Sequence, residues 1–228
     1  MALAKSVVVK VPKSDNHGSN ATRLGRADWI SAAKLALVKG GIHAVKVDKI
    51  ARYLGITRGS FYWHFKSRAE LLTALLELWR EQNTAPFRAI AAARSEPAFD
   101  RFMKLQGLWL YERDFEPAFD RAIRDWAGGT PSVAAALARI DAERMRILEE
   151  IFLDLGYSAT EAMIRARVTY YHQVGYYTLA VRESRETRRQ FLPLYTKILT
   201  GFDLDANSVV LDAPRPRRTA MRRSDERR

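Results

Sequence analysis

VKVDKIARYLGITRGSFYWHFKSRAELL, residues 45–72, decides the fold. Val47, Ile50, Ala51 and Leu54 recur at the three- and four-residue spacing of a single helical stripe. Gly55 follows where a helix must stop and the backbone can take a positive φ without penalty. Ile56 plugs the turn, and Thr57 is suited to cap a second helix. The pattern predicts helix, tight turn, helix, with the second helix a rod over residues 57–65. On that rod Phe61 and Phe65, four apart, turn towards the core, while Gly59, Ser60 and Trp63 take the opposite face and Tyr62 and His64 its flanks. Such a helix suits the major groove of DNA. Small and polar groups face base edges, Gly59 lets the backbone come close, and Tyr62 and His64 reach phosphates on either wall. Arg58 is long enough to meet a guanine edge or a phosphate, and Arg68, in the first turn of the next helix, adds a phosphate contact.

These residues carry a resemblance. The run Gly55-Ile56-Thr57-Arg58-Gly59-Ser60-Phe61-Tyr62-Trp63-His64-Phe65, with Ile50-Ala51 upstream and Ser67-Arg68-x-Glu70-Leu71-Leu72 downstream, resembles the DNA-binding domain of the TetR family of transcriptional regulators over roughly residues 26–76. The resemblance implies that Tyr62, His64 and Arg68 hold phosphates and that Thr57, Arg58, Ser60 and Trp63 face the groove. One departure stands out. The family usually has Thr-Thr or Thr-Val before the first helix of the motif, whereas this chain has Val45-Lys46, so the cap is missing and Lys46 is the candidate for that phosphate contact.

Charge distribution points the same way. The 228-residue chain has a formal net charge of +12, but residues 1–26 contribute +4, 27–80 +5, 81–212 −2 and 213–228 +5. The basic excess therefore sits on the helix-turn-helix unit and the two ends, as phosphate neutralisation requires. An apolar content of 47% is ample for a core, and the absence of cysteine excludes disulfides and thiolate metal sites and agrees with a cytoplasmic protein. No apolar run approaches the ~18 residues a membrane helix needs, and the lysine-broken MALAKSVVVKVPK is a poor secretion signal.

Four regions follow: a flexible basic arm (1–24), the DNA-binding unit (25–80), a ligand-binding and dimerisation body (81–205) and a basic disordered tail (206–228). SVVVKV (6–11) and SVVLD (208–212) have strand character, but a pairing of the two ends would be marginal alone. A supporting helix is expected over 26–39, with Ile30, Ala33 and Leu37 inward, and a longer one from Ser67 to about Thr84. The body reads as all helix: 98–113, 118–127, then Thr130-Pro131 opening a helix to about Leu155. A capping box at Ser158 and Glu161 starts a helix to about 182, and a last helix covers 186–201. The expected class is all-α, an N-terminal three-helix DNA-binding domain and a C-terminal helical domain. The helix at 159–182 is apolar on nearly every face, so one face is expected to meet a second subunit; a larger intramolecular core would bury it equally well. The family resemblance implies that the last two helices form a dimer interface, here drawing on Tyr177, Phe191, Leu194, Tyr195 and Ile198.

The resemblance also implies a small-molecule pocket in the body, for which Trp109, Arg113, Trp126, Tyr170, His172 and Gln173 are the candidates. An aromatic-rich pocket favours a flat or lipophilic compound, although aromatics at helical spacing are more often core. The Asp and Glu residues of 140–154 are spaced as a solvated helix face. There is no glycine-rich phosphate loop, no metal-ligand spacing among His17, His43, His64 and His172, and no nucleophile elbow, so neither enzyme nor cofactor is expected. The reading that results is a homodimeric regulator of transcription, a repressor released from a palindromic operator by a small ligand. The alternative is an architectural, nucleoid-associated DNA-binding protein without an inducer.

Overall fold

The computed structural model describes residues 24–204. The expectations for the arm, the tail and the pairing of 6–11 with 208–212 lie outside those residues. The described residues are helical, without a strand: α1 (Arg26–Gly40), a 3-10 turn (Ile42–Ala44), α2 (Val47–Leu54), α3 (Arg58–Phe61) and α4 (Arg68–Ala92). There follow α5 (Ala98–Tyr111), α6 (Pro117–Ala127), α7 (Pro131–Asp154), α8 (Ala159–Thr178) and α9 (Arg185–Thr200).

Local chemistry accounts for the boundaries. Asp28 reaches back to the Gly25 amide at 2.7 Å and starts α1. Gly55 takes φ 70° to end α2, and the Ile56 amide closes the turn on the Ala51 carbonyl at 3.0 Å. Ser67, Ser158 and Ser184 cap α4, α8 and α9 through their side chains. Pro117 and Pro131 sit in the first turns of α6 and α7, where a missing N–H costs nothing.

Several expectations are corrected. The rod over 57–65 is a single helical turn, Arg58–Phe61, continued by turns through His64, because Tyr62, Trp63 and His64 bond back only three residues. Thr57 holds the N-cap position without using its side chain. The long helix runs through Pro86 to Ala92 instead of stopping near Thr84, since burial of Asn83, Thr84 and Phe87 offsets the bond lost at the proline. Helix α8 ends at Thr178, short of the expected 182.

Two apolar interiors result. In the first, Trp29, Leu37, Ile50, Phe61, Phe65, Leu71 and Trp79 are joined by Phe119, Ile123 and Trp126 of α6, and by Val133 and Ile140 of α7. The second gathers Phe87, Phe102, Trp109, Leu148, Phe152, Tyr170 and Leu192 from α4, α5, α7, α8 and α9, with Phe115 from the α5–α6 connection. Helix α4 contributes to both.

A charged knot lies where the two meet. Asp120 accepts from the Trp79 indole at 3.0 Å, from Arg144 at 2.9 Å and from Arg124 at 3.0 Å. Arg124 also grips Asp141 with two bonds of 2.8 and 2.7 Å, and the Tyr170 hydroxyl donates to Asp141 at 2.6 Å. Burial would raise the Asp120 carboxyl, but the Arg144 and Arg124 cations outweigh it and hold it below the usual carboxylate range. Removing one partner would strand a buried charge and cost about 3–5 kcal/mol. Asp141 and Glu143, the latter held by Arg88 at 2.6 Å, are thus ion-paired and not the solvated face expected for 140–154.

Candidate nucleic-acid interface and ligand cavities

The short α3 is positioned from beneath. Phe61 packs edge-on against Trp29 at 5.1 Å and stacks on Phe65 at 5.3 Å, and all three are buried. With Phe61 anchored inward, Thr57, Arg58, Gly59, Tyr62 and Trp63 are exposed, and Ser60 and His64 half-exposed, along one surface. Lys46 is exposed at the N-cap of α2 and gives the helix no side-chain cap.

Three of the candidate side chains, Arg58, Arg68 and Ser60, are already engaged. Arg58 lies 3.4 Å from Asp48 and 3.5 Å from the Tyr62 hydroxyl, a loose, water-exposed contact that pre-aims it. Arg68 donates to the Val45 carbonyl at 2.7 Å and the Ile42 carbonyl at 3.1 Å. It therefore staples the entry to α2, which leaves only part of its guanidinium to meet a phosphate. The Ser60 hydroxyl donates to the Thr57 carbonyl at 2.8 Å, so it faces outward as an acceptor. Tyr53, on the outer side of α2 beside Arg52 and Lys49, was not singled out from sequence and is widely exposed. Its signal was available, because position 53 falls outside the Val47–Ile50–Ala51–Leu54 stripe.

This unit is tied to the body through Lys34 of α1. Its ammonium donates to Gln82 of α4 at 2.9 Å, pairs with Glu116 at the start of α6 and lies 5.0 Å over the Phe119 ring. Asn83 holds the same Glu116 backbone with bonds of 3.0 and 3.2 Å.

The six ligand-pocket candidates do not share a site. Trp126 belongs to the first interior, next to the DNA-binding unit. Arg113 lies in an open cleft of about 990 Å³ between α4 and α5, 5.5 Å over the Tyr111 ring. Tyr170, its hydroxyl committed to the charged knot, lines a second cavity of about 10 Å³ with Trp109 and Gln173. Trp109, His172 and Gln173 converge on a small, partly open cavity of about 50 Å³ where α5, α8 and α9 meet, with the exposed His172 at its mouth. Partial burial lowers the His172 pKa, against a smaller opposing pull from Glu183, so the imidazole there is neutral.

The five interface candidates divide as well. Phe191, Leu194, Tyr195 and Ile198 form an exposed stripe on α9, beside Ile164, Val168 and Tyr171 of α8. Tyr177 is a correction: it turns into the body, its ring stacked on Phe115 and its hydroxyl donating to the Trp109 carbonyl at 3.0 Å. Burial, with Glu112 nearby, raises its pKa and keeps the phenol protonated for that bond. Sequence periodicity could not distinguish the two sides of a helix that is apolar all round.

Residues 30–75 match the family model described as bacterial regulatory proteins, tetR family. Over 64 residues, 28% of this chain, the sequence is 42% identical to the HTH-type transcriptional regulator TtgR of Pseudomonas putida, and the match spans 30% of that relative's length. Across 82% of this chain and 98% of the other, the fold is similar to the ketosteroid transcriptional regulator KstR2 of Mycobacterium tuberculosis, at 18% identity and a TM-score of 0.58. It is also similar, over 78% of this chain and 98% of the other, to a transcriptional regulator of the TetR/AcrR family from Thermobifida fusca, at 18% identity and a TM-score of 0.50. The sequence likeness is concentrated in the helix-turn-helix unit, and the body is similar in fold alone.

Proposed function

We propose that this chain, whose N-terminal unit is a DNA-binding domain of the tetR family of bacterial regulatory proteins, acts as a homodimeric repressor of transcription in the cytoplasm. The observation that carries the reading is the surface over residues 46–63, where exposed Lys46, Arg58, Tyr62 and Trp63 are set on a buried Trp29–Phe61–Phe65 stack. Phosphate contacts fall to Lys46, Tyr62 and His64 and to the free part of Arg68, and base edges to Thr57, Arg58, Gly59, Ser60 and Trp63.

One short helix reads only a few base pairs, so two copies are needed for useful selectivity. The exposed apolar stripes of α8 and α9 are the surface available to pair them. A small molecule held in the body releases the operator by favouring a spacing of the two reading helices that does not fit DNA. Linkage then requires DNA to weaken ligand binding by the same factor.

Anisotropy titration in 150 mM salt with inverted repeats from the DNA flanking its own gene tests the reading. A preference of at least ~10³ over random DNA is expected of a regulator. Little preference with a steep salt slope would instead favour an architectural role.

A further inference from the structure

Six buried side-chain nitrogen and oxygen atoms have no hydrogen-bond partner among the described residues, and three of them belong to residues on the wall of one cavity. They are the amide nitrogens of Gln106 and Gln173 and the hydroxyl of Thr169. Native interiors pair nearly all such groups, so three unpaired ones around a common space point to an occupant that pairs them. The space is the 50 Å³ cavity at the α5–α8–α9 seam. Helical spacing builds its walls: Gln106 and Trp109 on α5, Thr169 and Gln173 on α8, and Leu192 and Tyr195 on α9.

The chemistry of the wall specifies the guest. The two glutamine nitrogens donate and the threonine hydroxyl can donate, so the guest presents an acceptor oxygen. Among the described residues the one cation at the rim, Arg188, is already paired, and the carboxylate there, Glu183, repels anions. Arg188 pairs with Glu112 at 2.8 Å and donates to the Trp109 carbonyl at 2.8 Å, and Glu183 accepts from the Tyr176 hydroxyl at 3.2 Å. His172 is neutral, as described above, so no free cation among the described residues there would compensate a buried anion, while a cationic guest would meet the outward N–H groups of Gln106 and Gln173. Trp109 and Leu192 supply an apolar lining, and the volume admits only a few non-hydrogen atoms.

We infer that this cavity is a binding site for a compact, uncharged carbonyl compound, an amide, ketone or lactone, whose oxygen is held by Gln106, Thr169 and Gln173. The inference rests on the proposed ligand-responsive regulator and assigns its effector a site and a chemical class. His172 and Tyr195, whose rings lie 4.9 Å apart, stand between the cavity and the exposed stripe of α9. A guest therefore bears on the same helix that a second copy would touch.

The test uses the full chain and three near-isosteric probes: acetamide, acetate and acetamidinium. Acetamide at millimolar concentration should raise the melting temperature and perturb the Trp109 environment, whereas the two ions should do neither. Thr169→Val and Gln173→Leu should abolish the acetamide response while raising the ligand-free melting temperature by about 2–4 °C each, since an unpaired buried polar group is removed. A fall in melting temperature would show that these groups serve the fold, and an unchanged acetamide response would place the probe elsewhere; either result overturns the inference. Operator titrations on the same wild-type preparation separate the two levels. Selective DNA binding with no acetamide response sinks the cavity assignment alone, and loss of selective DNA binding sinks the regulator reading whatever acetamide does.

Discussion

The outer face of the helix-turn-helix unit and the α8–α9 face both leave large apolar side chains in the open, yet they are built for different partners. On the first, Tyr53, Tyr62 and Trp63, the last 87% exposed, each carry a polar edge and stand among Lys46, Lys49, Arg52 and Arg58. On the second, Ile164, Val168, Leu194 and Ile198, the last 65% exposed, form a largely aliphatic stripe at helical spacing, with Phe191, Tyr171 and Tyr195 at its side. Aromatic rings among cations suit a charged, hydrogen-bonding polymer; an aliphatic stripe suits another aliphatic stripe. Exposure alone does not tell the two apart, and the neighbours do.

The comparison can be broken at either face. Leu194→Glu should have the largest effect, because a carboxylate in a dry seam is stranded. Self-association should weaken by more than ~10³-fold and leave a folded monomer in sedimentation velocity at micromolar concentration; an undisturbed dimer would move the seam off α9. Arg58→Ala comes next, with a loss of about 10–100-fold on the preferred operator and almost none on random DNA. Equal losses on both would reassign Arg58 to phosphate. Lys46→Ala should cost only a few-fold on every sequence and flatten the slope of log K against log salt by about 1. Smallest of all, Trp63→Ala should leave thermal stability within ~0.5 kcal/mol of the parent while reducing DNA affinity. A clear drop in melting temperature would mean that the ring supports the fold after all.

The helix-turn-helix was legible because its signals are local. Gly55 needs its left-handed turn, and Phe61 with Phe65 cannot face water. Helix starts at Pro117, Pro131 and Ser158 were readable for the same reason. What stayed hidden depends on groups distant in sequence. Pro86 looks like a stop until Phe87 and Thr84 are seen buried against other helices. Arg144 and Asp120 look like surface charges until they are found facing each other at 2.9 Å. Arg68 looks like a phosphate ligand until the carbonyls of Ile42 and Val45, more than 20 residues upstream, are found beneath it. In the candidate site, the exposed cationic positions followed from periodicity. The cavity did not, because Gln106 and Thr169 carry no sequence signal beyond being ordinary helix residues.

The reading helix is four residues long, far below what holds together by itself in water. Its shape is borrowed from the aromatic stack behind it, and Phe61→Ala would remove about 3–5 kcal/mol of that support. A genetic hunt for strains that have lost control of the target promoter should therefore collect lesions at Trp29, Phe61 and Phe65, which never touch a nucleotide. Such mutants would be mistaken for defects of recognition unless their heat resistance were measured alongside.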